Sequence, residues 1–359
     1  MRQTHDPYRT WIGEIILQQT RMNQGLPYYR AFLESFPDVR ALASAQEDEV
    51  LRLWQGLGYY SRARNLHASA KYIKEHLGGV IPGDYKGLLE LKGVGAYTAA
   101  AIASWCYKEA KAAVDGNVSR LITRLFGIGD AINSPAGQRQ VQALADELLD
   151  SADPGMHNQA MIEFGALQCV PVSPHCLDCP LVELCEANLK GLVDRIPMKI
   201  RKKKPVERWF YYYLIHSGEE CILIRRGKEN IWAGLYEFPM IETGGPQTDE
   251  EIVHLLLPRI LSNTDSGPVP EAPEKTDSGL VLKEPERESF SGGSVGIGKL
   301  SVPLKHQLSH QTIHARFLQV EMVHLPDPLP ENWQSVSLDQ LDSYAMPRLI
   351  HRYLESVKI

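Results

Sequence analysis

The sequence has little of what would send a chain into or across a membrane. Nowhere in its 359 residues do about 18 apolar residues run together, the length that a bilayer-spanning helix needs. The opening residues, Met1-Arg2-Gln3-Thr4-His5-Asp6, do not follow the cationic-then-apolar pattern of a secretory leader, so the cytoplasm is the expected compartment and no membrane partner is expected. Positive charge is scarce as well: 38 Lys and Arg stand against 44 Asp and Glu, a net charge of −6. Taken alone that balance argues against a nucleic-acid partner, because binding phosphate depends on cations that displace counterions. The average conceals an asymmetry. Residues 1–204 hold 24 basic side chains and 22 acidic ones, whereas residues 205–359 hold 14 and 22, so any phosphate-binding face belongs to the first part. No internal repeat is evident, and alternating runs of β-branched residues are missing from the first half.

What is present divides the chain in two, a length of 359 residues being more than one small core requires. Apolar residues recur at helical spacing in Trp11-Ile12-Ile15-Ile16, in Leu51-Leu53-Trp54 and in Val118-Leu121-Ile122-Leu125, with glycine punctuation at Gly78-Gly79, Gly93-Val94-Gly95 and Gly127-Ile128-Gly129. Residues 1–190 are therefore expected to be all-α. A basic run, Lys199 and then Arg201-Lys202-Lys203-Lys204-Pro205, reads as an interdomain linker over 191–206. Beyond it, Trp209 to Ile215, a turn at Ser217-Gly218 and Cys221 to Ile224 predict a β-hairpin, and Thr312 to Val323 another strand, so residues 207–359 are expected to be mixed α/β. The Ser-, Gly-, Pro- and Glu-rich stretch from Leu261 to Lys299 is expected to be a mobile loop.

Four of the six cysteines, Cys169, Cys176, Cys179 and Cys185, fall within seventeen residues. Without an export signal such a cluster reads as a metal site, and four thiolates suit either tetrahedral zinc or a [4Fe–4S] cluster. Cys106 and Cys221 read as buried free thiols. Gly93-Val94-Gly95 leads into the Ala-rich Ala96 to Ala103. Glycines there let backbone N–H groups approach a phosphate, though a plain tight connection between helices uses the same residues. Asp115, in Val114-Asp115-Gly116-Asn117-Val118, reads by itself as the cap of a following helix.

Together, this cysteine spacing, the Gly-x-Gly turn and the Val-Asp-Gly-Asn-Val segment resemble the endonuclease III superfamily of helix-hairpin-helix DNA glycosylases. That resemblance implies an all-α glycosylase domain with a [4Fe–4S] cluster loop, hairpin glycines Gly93 and Gly95 at DNA phosphate, and Asp115 as catalytic carboxylate. It implies Tyr97 where bifunctional members carry a lysine nucleophile, hence base removal without strand cleavage by the imine route. Trp11-Ile12-Gly13-Glu14-Ile15-Ile16-Leu17-Gln18-Gln19-Thr20 resembles the segment holding the second carboxylate in the MutY family of adenine glycosylases. By that likeness Glu14 is the general acid, a role that burial favours, Tyr97 and Asn117 orient the intermediate, and Gln19 and Thr20 face an oxidised guanine. Gly56 to Arg62 resembles the family's wedge loop, with Leu57 and Tyr59 entering the base stack. Asn158 to Ala166 resembles the helix leading to the cluster, with Glu163, and also Arg2, at the adenine.

The second half resembles a Nudix fold through Ile222 to Arg226 and Trp232 to Pro239, but the Glu-rich metal box of the hydrolases does not follow Pro239. Recognition of 8-oxoguanine is then the expected role, with Ser309 and His310 making polar contacts and Leu308 standing where the family has an aromatic residue. The family also carries a helix and a Leu-Pro-Trp-Arg segment before Asp6-Pro7-Tyr8, absent from this sequence. The resemblance thus implies a monofunctional base excision repair enzyme, monomeric and nucleoid-associated in the cytoplasm, that removes adenine opposite 8-oxoguanine or guanine from double-stranded DNA. An endonuclease III-like pyrimidine glycosylase-lyase and a catalytically silent damage-binding module are the alternatives. Tyr97 and the extra domain oppose the first; the shortened start admits the second.

Overall fold

Helix starts in the first half are written in short polar caps. The computed structural model describes residues 4–200, 204–227, 231–261, 287–290 and 293–357. In chain order the helices are α1 (Pro7–Leu17), α2 (Met22–Ser35), α3 (Val39–Ser44), α4 (Glu47–Leu53), α5 (Ser61–His76) and α6 (Tyr85–Leu89). There follow α7 (Ala96–Tyr107), α8 (Gly116–Leu125), α9 (Pro135–Leu148), α10 (Pro154–Leu167) and α11 (Glu186–Leu189). Asp6, Asp38, Asp84, Asp115, Ser134 and Asp153 each turn a side-chain oxygen onto backbone N–H groups of the first turn, which would otherwise lack partners. Proline occupies the first turn at Pro7, Pro135 and Pro154, where its missing N–H costs nothing.

The second half builds β1 (Val206–Ser217), β2 (Glu220–Arg225), β3 (Tyr236–Glu237) and β4 (Met240–Thr243), then α12 (Asp249–Glu251) and α13 (Leu257–Leu261). It continues with β5 (Arg287–Phe290), β6 (Gly293–Leu300), β7 (Leu304–Gln307), β8 (Gln311–Met322), β9 (Trp333–Ser337) and α14 (Arg348–Val357). The strands form one mixed sheet in the order β3-β2-β1-β8-β6-β5, with β4 on β1, β7 on β8 and β9 on β2. Among the described strands only β1 and β8 run parallel, in register from Val206 opposite Gln311 to His216 opposite Glu321. The expected hairpin is the antiparallel β1–β2 pair, turning through Gly218 at φ +55°. Most of the expected mobile loop lies outside the described residues, but Gly293 to Lys299 departs from that expectation: it is strand β6, paired with β8. Its glycines Gly296 and Gly298 sit over Glu321 and Gln319, so a composition that looks loop-like serves a strand pressed close to its neighbour.

Contacts group the chain into two units, residues 1–53 with 62–202, and residues 54–61 with 203–359. Residues 54–61, which the sequence reading places in the helical domain, thus pack with the sheet unit: Tyr60 Oη donates to Met346 O at 3.2 Å and Gln55 Nε2 meets His351 Nε2 at 2.7 Å. No described helix is long and apolar enough to cross a membrane.

Within the sheet unit, period-two alternation along β1 sends Phe210, Tyr212 and Leu214 to one core and Tyr211, Tyr213 and Ile215 to the other. The first core is closed by Leu349, Ile350 and Tyr353 of α14, the second by Ile252, Leu257 and Ile260. Phe317 is sandwiched between Tyr353, at a centroid distance of 4.1 Å, and Tyr212, at 4.9 Å, both nearly parallel to it. Cys221 is fully buried in the same core, and burial pushes its thiol up to about 12. Because Phe317 is the middle of that stack, Phe317→Ala should destabilise the sheet unit by about 3–5 kcal/mol. A shift of the urea midpoint corresponding to less than ~1 kcal/mol would show that the stack is not holding the core together.

Candidate active site

The N-terminus of α8 brings together two of the polar side chains singled out from the sequence, Asp115 and Asn117. Asp115 Oδ1 accepts from the N–H groups of Asn117 and Val118, each at 2.8 Å, and Oδ2 accepts from Asn117 Nδ2 at 2.8 Å. The cap and the Asp–Asn pair are therefore one arrangement, and the reading of Asp115 as a helix cap holds. Preceding residues are tied from α10 and α9. Buried Asn158 accepts from Ala113 N at 2.9 Å and donates to Lys111 O at 2.9 Å, while Asp146 Oδ1 accepts from Ala112 N at 3.2 Å. Gly165 of α10 lies so close that an added Cβ would stand 2.6 Å from Asn117 O.

Two arginines that sequence reasoning passed over continue this network. Arg120 donates from Nη2 to Asn117 Oδ1 at 2.9 Å and to Gly165 O at 2.6 Å, and from Nε to Cys169 O at 2.7 Å. Arg124, one turn on, donates from Nε to Ile196 O at 2.9 Å, from Nη1 to Val170 O at 2.8 Å and from Nη2 to Pro171 O at 3.0 Å. Both are buried, and burial lowers Arg120 from the ordinary arginine range, with the charge of Arg124 acting the same way and the charges of Cys169 and Asp115 opposing it. Helical spacing gave no signal: it sets Arg120 and Arg124 on the side of α8 away from Val118, Leu121 and Ile122, and they are buried by the Cys169 to Pro171 segment whose carbonyls they meet.

The four clustered cysteines line a cavity of about 430 Å³, mouth included, together with Arg124, Phe164 and Leu181. They are neighbours: after burial, the thiols of Cys169, Cys185 and Cys179 push Cys176 up, and Arg124 opposes them. Among the described residues no three His, Cys, Asp or Glu gather closely enough to hold a single metal ion. Tetrahedral zinc would need sulfurs about 3.8 Å apart, given Zn–S bonds of about 2.3 Å. Four thiols lining one cavity suit a group that bonds each sulfur, a single ion or a cluster.

Glu14 is 5% exposed, carried on α1 among Trp11, Ile12, Ile15 and Ile16. Tyr97 packs against Ala100, Ala101 and Ala113, two residues ahead of Asp115. In the hairpin turn Gly93 takes φ +80°, where a Cβ would meet Asn65 Cβ at 2.8 Å, while Gly95 caps α7 facing open space. Glu163 is exposed on α10 and hydrogen-bonded to Gln159 Nε2. Gln19 is exposed with φ +58°, and Thr20 follows it half-buried. Arg2 lies outside the described residues.

In the sheet unit Tyr59 is half exposed and its hydroxyl meets Ser309 Oγ at 2.6 Å, so two residues far apart in sequence share one surface. Leu57 is 7% exposed, so in this structure its side chain is packed rather than presented. The β7–β8 turn closes with Leu308 N donating to Gln311 O at 2.8 Å and leaves Ser309 and His310 exposed. Leu308 packs on the core instead, acting as the anchor of the turn. Two of the acids after Pro239 have structural partners: Glu251 closes a capping box with Thr248, and Asp249 pairs with Arg316.

The sequence pattern of the HhH-GPD superfamily of base excision DNA repair proteins matches residues 12–149, and that of the NUDIX domain matches residues 210–356. The adenine DNA glycosylase of Buchnera aphidicola subsp. Baizongia pistaciae is 36% identical over 239 residues, 65% of this chain and 66% of its own length. That of the Schizaphis graminum subspecies is 32% identical over 66% of this chain and 68% of its own. That of the Acyrthosiphon pisum subspecies is 27% identical across 98% of this chain and 90% of its own. A solved thermostable thymine-DNA glycosylase superposes with a TM-score of 0.50 at 29% identity, over 53% of this chain and 87% of that one. A helical HhH-GPD domain followed by a Nudix domain with a mixed sheet is therefore the architecture.

Gly165→Ala should drive α10 off the backbone of Asn117, since neither the helix nor a peptide carbonyl can yield cheaply. The expected cost is about 1–3 kcal/mol in urea unfolding, and a fully stable Gly165→Ala protein would show that α10 and α8 are not packed so tightly.

Proposed function

The chain belongs to the adenine DNA glycosylase family of base excision repair enzymes, and on that premise we propose that it hydrolyses the N-glycosidic bond of adenine paired with 8-oxoguanine or guanine in double-stranded DNA. The observation that carries the reading is Asp115, a carboxylate oriented by three N–H donors at the mouth of α8 and backed by Asn117 and Arg120. Buried Glu14 is the second acid.

Adenine leaves poorly as an anion, so its departure calls for a proton on the base and a negative charge beside the sugar. Glu14 gives a proton to adenine N7, the C1′–N9 bond breaks with its electron pair going to the base, and the carboxylate of Asp115 stabilises the oxocarbenium ion. Asn117 and Tyr97 hold Asp115 and the intermediate in place. Glu14, now deprotonated, takes a proton from the attacking water, whose oxygen bonds to C1′ and leaves an abasic site. No amine stands at Tyr97, so the products are free adenine and an unbroken strand. Glu163 and Arg2 contact the adenine.

Gly93 and Gly95 take phosphate oxygens on backbone N–H groups. Tyr59, exposed at its turn, enters the base stack, and Leu57 joins it by leaving its packing. Gln19, Thr20, Ser309 and His310 contact the oxidised guanine opposite. Cys169, Cys176, Cys179 and Cys185 hold a [4Fe–4S] cluster. Its contribution when bound is structural, cross-linking residues 169–185 into a rigid loop.

On a duplex carrying adenine opposite 8-oxoguanine, strand scission should appear only after alkali. Asp115→Asn should lower excision by orders of magnitude with binding nearly intact; excision retained in Asp115→Asn would remove the catalytic assignment. Scission without alkali at an oxidised pyrimidine would favour a glycosylase-lyase instead. Protein purified without air should carry the broad visible absorption of an iron–sulfur centre with about four irons per chain, the cluster stoichiometry. Cys176→Ser should lose most of it, whereas stoichiometric zinc and no colour in the parent protein would argue for a single-ion site.

A further inference from the structure

The mechanism above gives no task to one half-buried cation of the helical unit. Arg62, near the start of α5, reaches across to the C-terminal end of α1 and donates from Nη1 to the carbonyls of Ile15 at 3.0 Å, Ile16 at 3.1 Å and Gln18 at 2.6 Å. Those carbonyls belong to the last turn of α1, where intrahelical donors run out and the helix dipole favours a positive charge. The chain leaves the helix at Gln18, with φ −56° and ψ 112°, and then places Gln19 in the left-handed region at φ +58°. A non-glycine residue stays in that region only where its surroundings dictate it.

Few other contacts do so. Thr20 N donates to Leu17 O at 3.2 Å, and the other donor to Gln18 O is the Thr20 hydroxyl at a long 3.4 Å. Gln18 Nε2 reaches Thr98 Oγ1 of α7 at 3.2 Å, and Gly25 of α2 brings its backbone within van der Waals reach of Ile16 and Leu17. The guanidinium is thus the strongest tie on the carbonyl immediately before Gln19.

We propose that Arg62 is a positioning residue for mispair discrimination: it clamps the end of α1 so that Gln19 and Thr20 stand in a fixed place to meet the base opposite adenine. This rests on the assignment of Gln19 and Thr20 to that base under Proposed function. A rigid presentation distinguishes two purines that differ by one oxygen and one N–H, because a misplaced hydrogen-bonding group no longer tells them apart.

The test compares kcat/KM on duplexes with adenine opposite 8-oxoguanine and opposite guanine, in the parent, Arg62→Met, Gln19→Ala and the double variant, with thermal melting alongside. Arg62→Met should lower the ratio of the two by about tenfold, the worth of one well-placed hydrogen bond, and the double variant should fall little below Gln19→Ala, since contacts acting through one another are not additive. If Arg62→Met does not fold, Arg62→Lys serves, keeping the charge but losing the planar fork, and should give an intermediate ratio. A ratio that responds to Gln19→Ala but not to Arg62 substitution, or effects that multiply in the double variant, overturns the role of Arg62. A ratio indifferent to Gln19→Ala overturns the assignment of Gln19 as well, and with it the route proposed for Arg62.

Discussion

One carboxylate governs the geometry of the helical unit. Asp115 closes the first turn of α8 with Oδ1 and holds the Asn117 amide with Oδ2, so the group proposed to face the reacting sugar also starts the helix that supports it. A side chain with that double duty has little rotational freedom, and preorganisation of charge at the reacting atom follows without further parts. The surrounding ties act on the same segment: Asn158 holds Lys111 and Ala113, Asp146 holds Ala112, and Gly165 lets α10 press against Asn117.

Behind this segment, the arginines of α8 solve a different problem. The residues from Cys169 to Pro171 present carbonyl groups that no regular element satisfies, and Arg120 and Arg124 supply donors to them from one helix face. Burying two cations costs solvation that only several charge-assisted hydrogen bonds can offset, and each arginine makes them. The cysteine loop and the Asp115 segment are consequently braced by the same helix.

The sheet unit follows another logic. Parallel pairing of β1 with β8 buries both strands on both faces, which explains the nearly unbroken aromatic and branched run from Phe210 to Ile215. Of the acids that come after Pro239, Glu251 is taken up by a helix cap and Asp249 by an ion pair. At the surface of the unit stands the β7–β8 turn, with Leu308 rooted in the core beneath exposed Ser309 and His310.

Local signals in the sequence determined the elements and named many of the parts. Helical spacing, aspartate caps and glycine turns are short-range, so the helical half, the β1–β2 hairpin and the cap at Asp115 were legible, as was the family through the motifs that resemble it. Gly293 to Lys299 was misread because glycine suggests a loop when seen locally, whereas in a sheet it admits a close neighbour. Leu308 stands where the family has an aromatic residue, and its place in the core depends on strands that the turn alone does not reveal. Arg62, Arg120 and Arg124 acquire meaning only in three dimensions, because their acceptors are backbone carbonyls. Every residue carries such a carbonyl, so the one that needs a donor is marked by where the chain runs out of regular structure and by what packs there, not by its side chain.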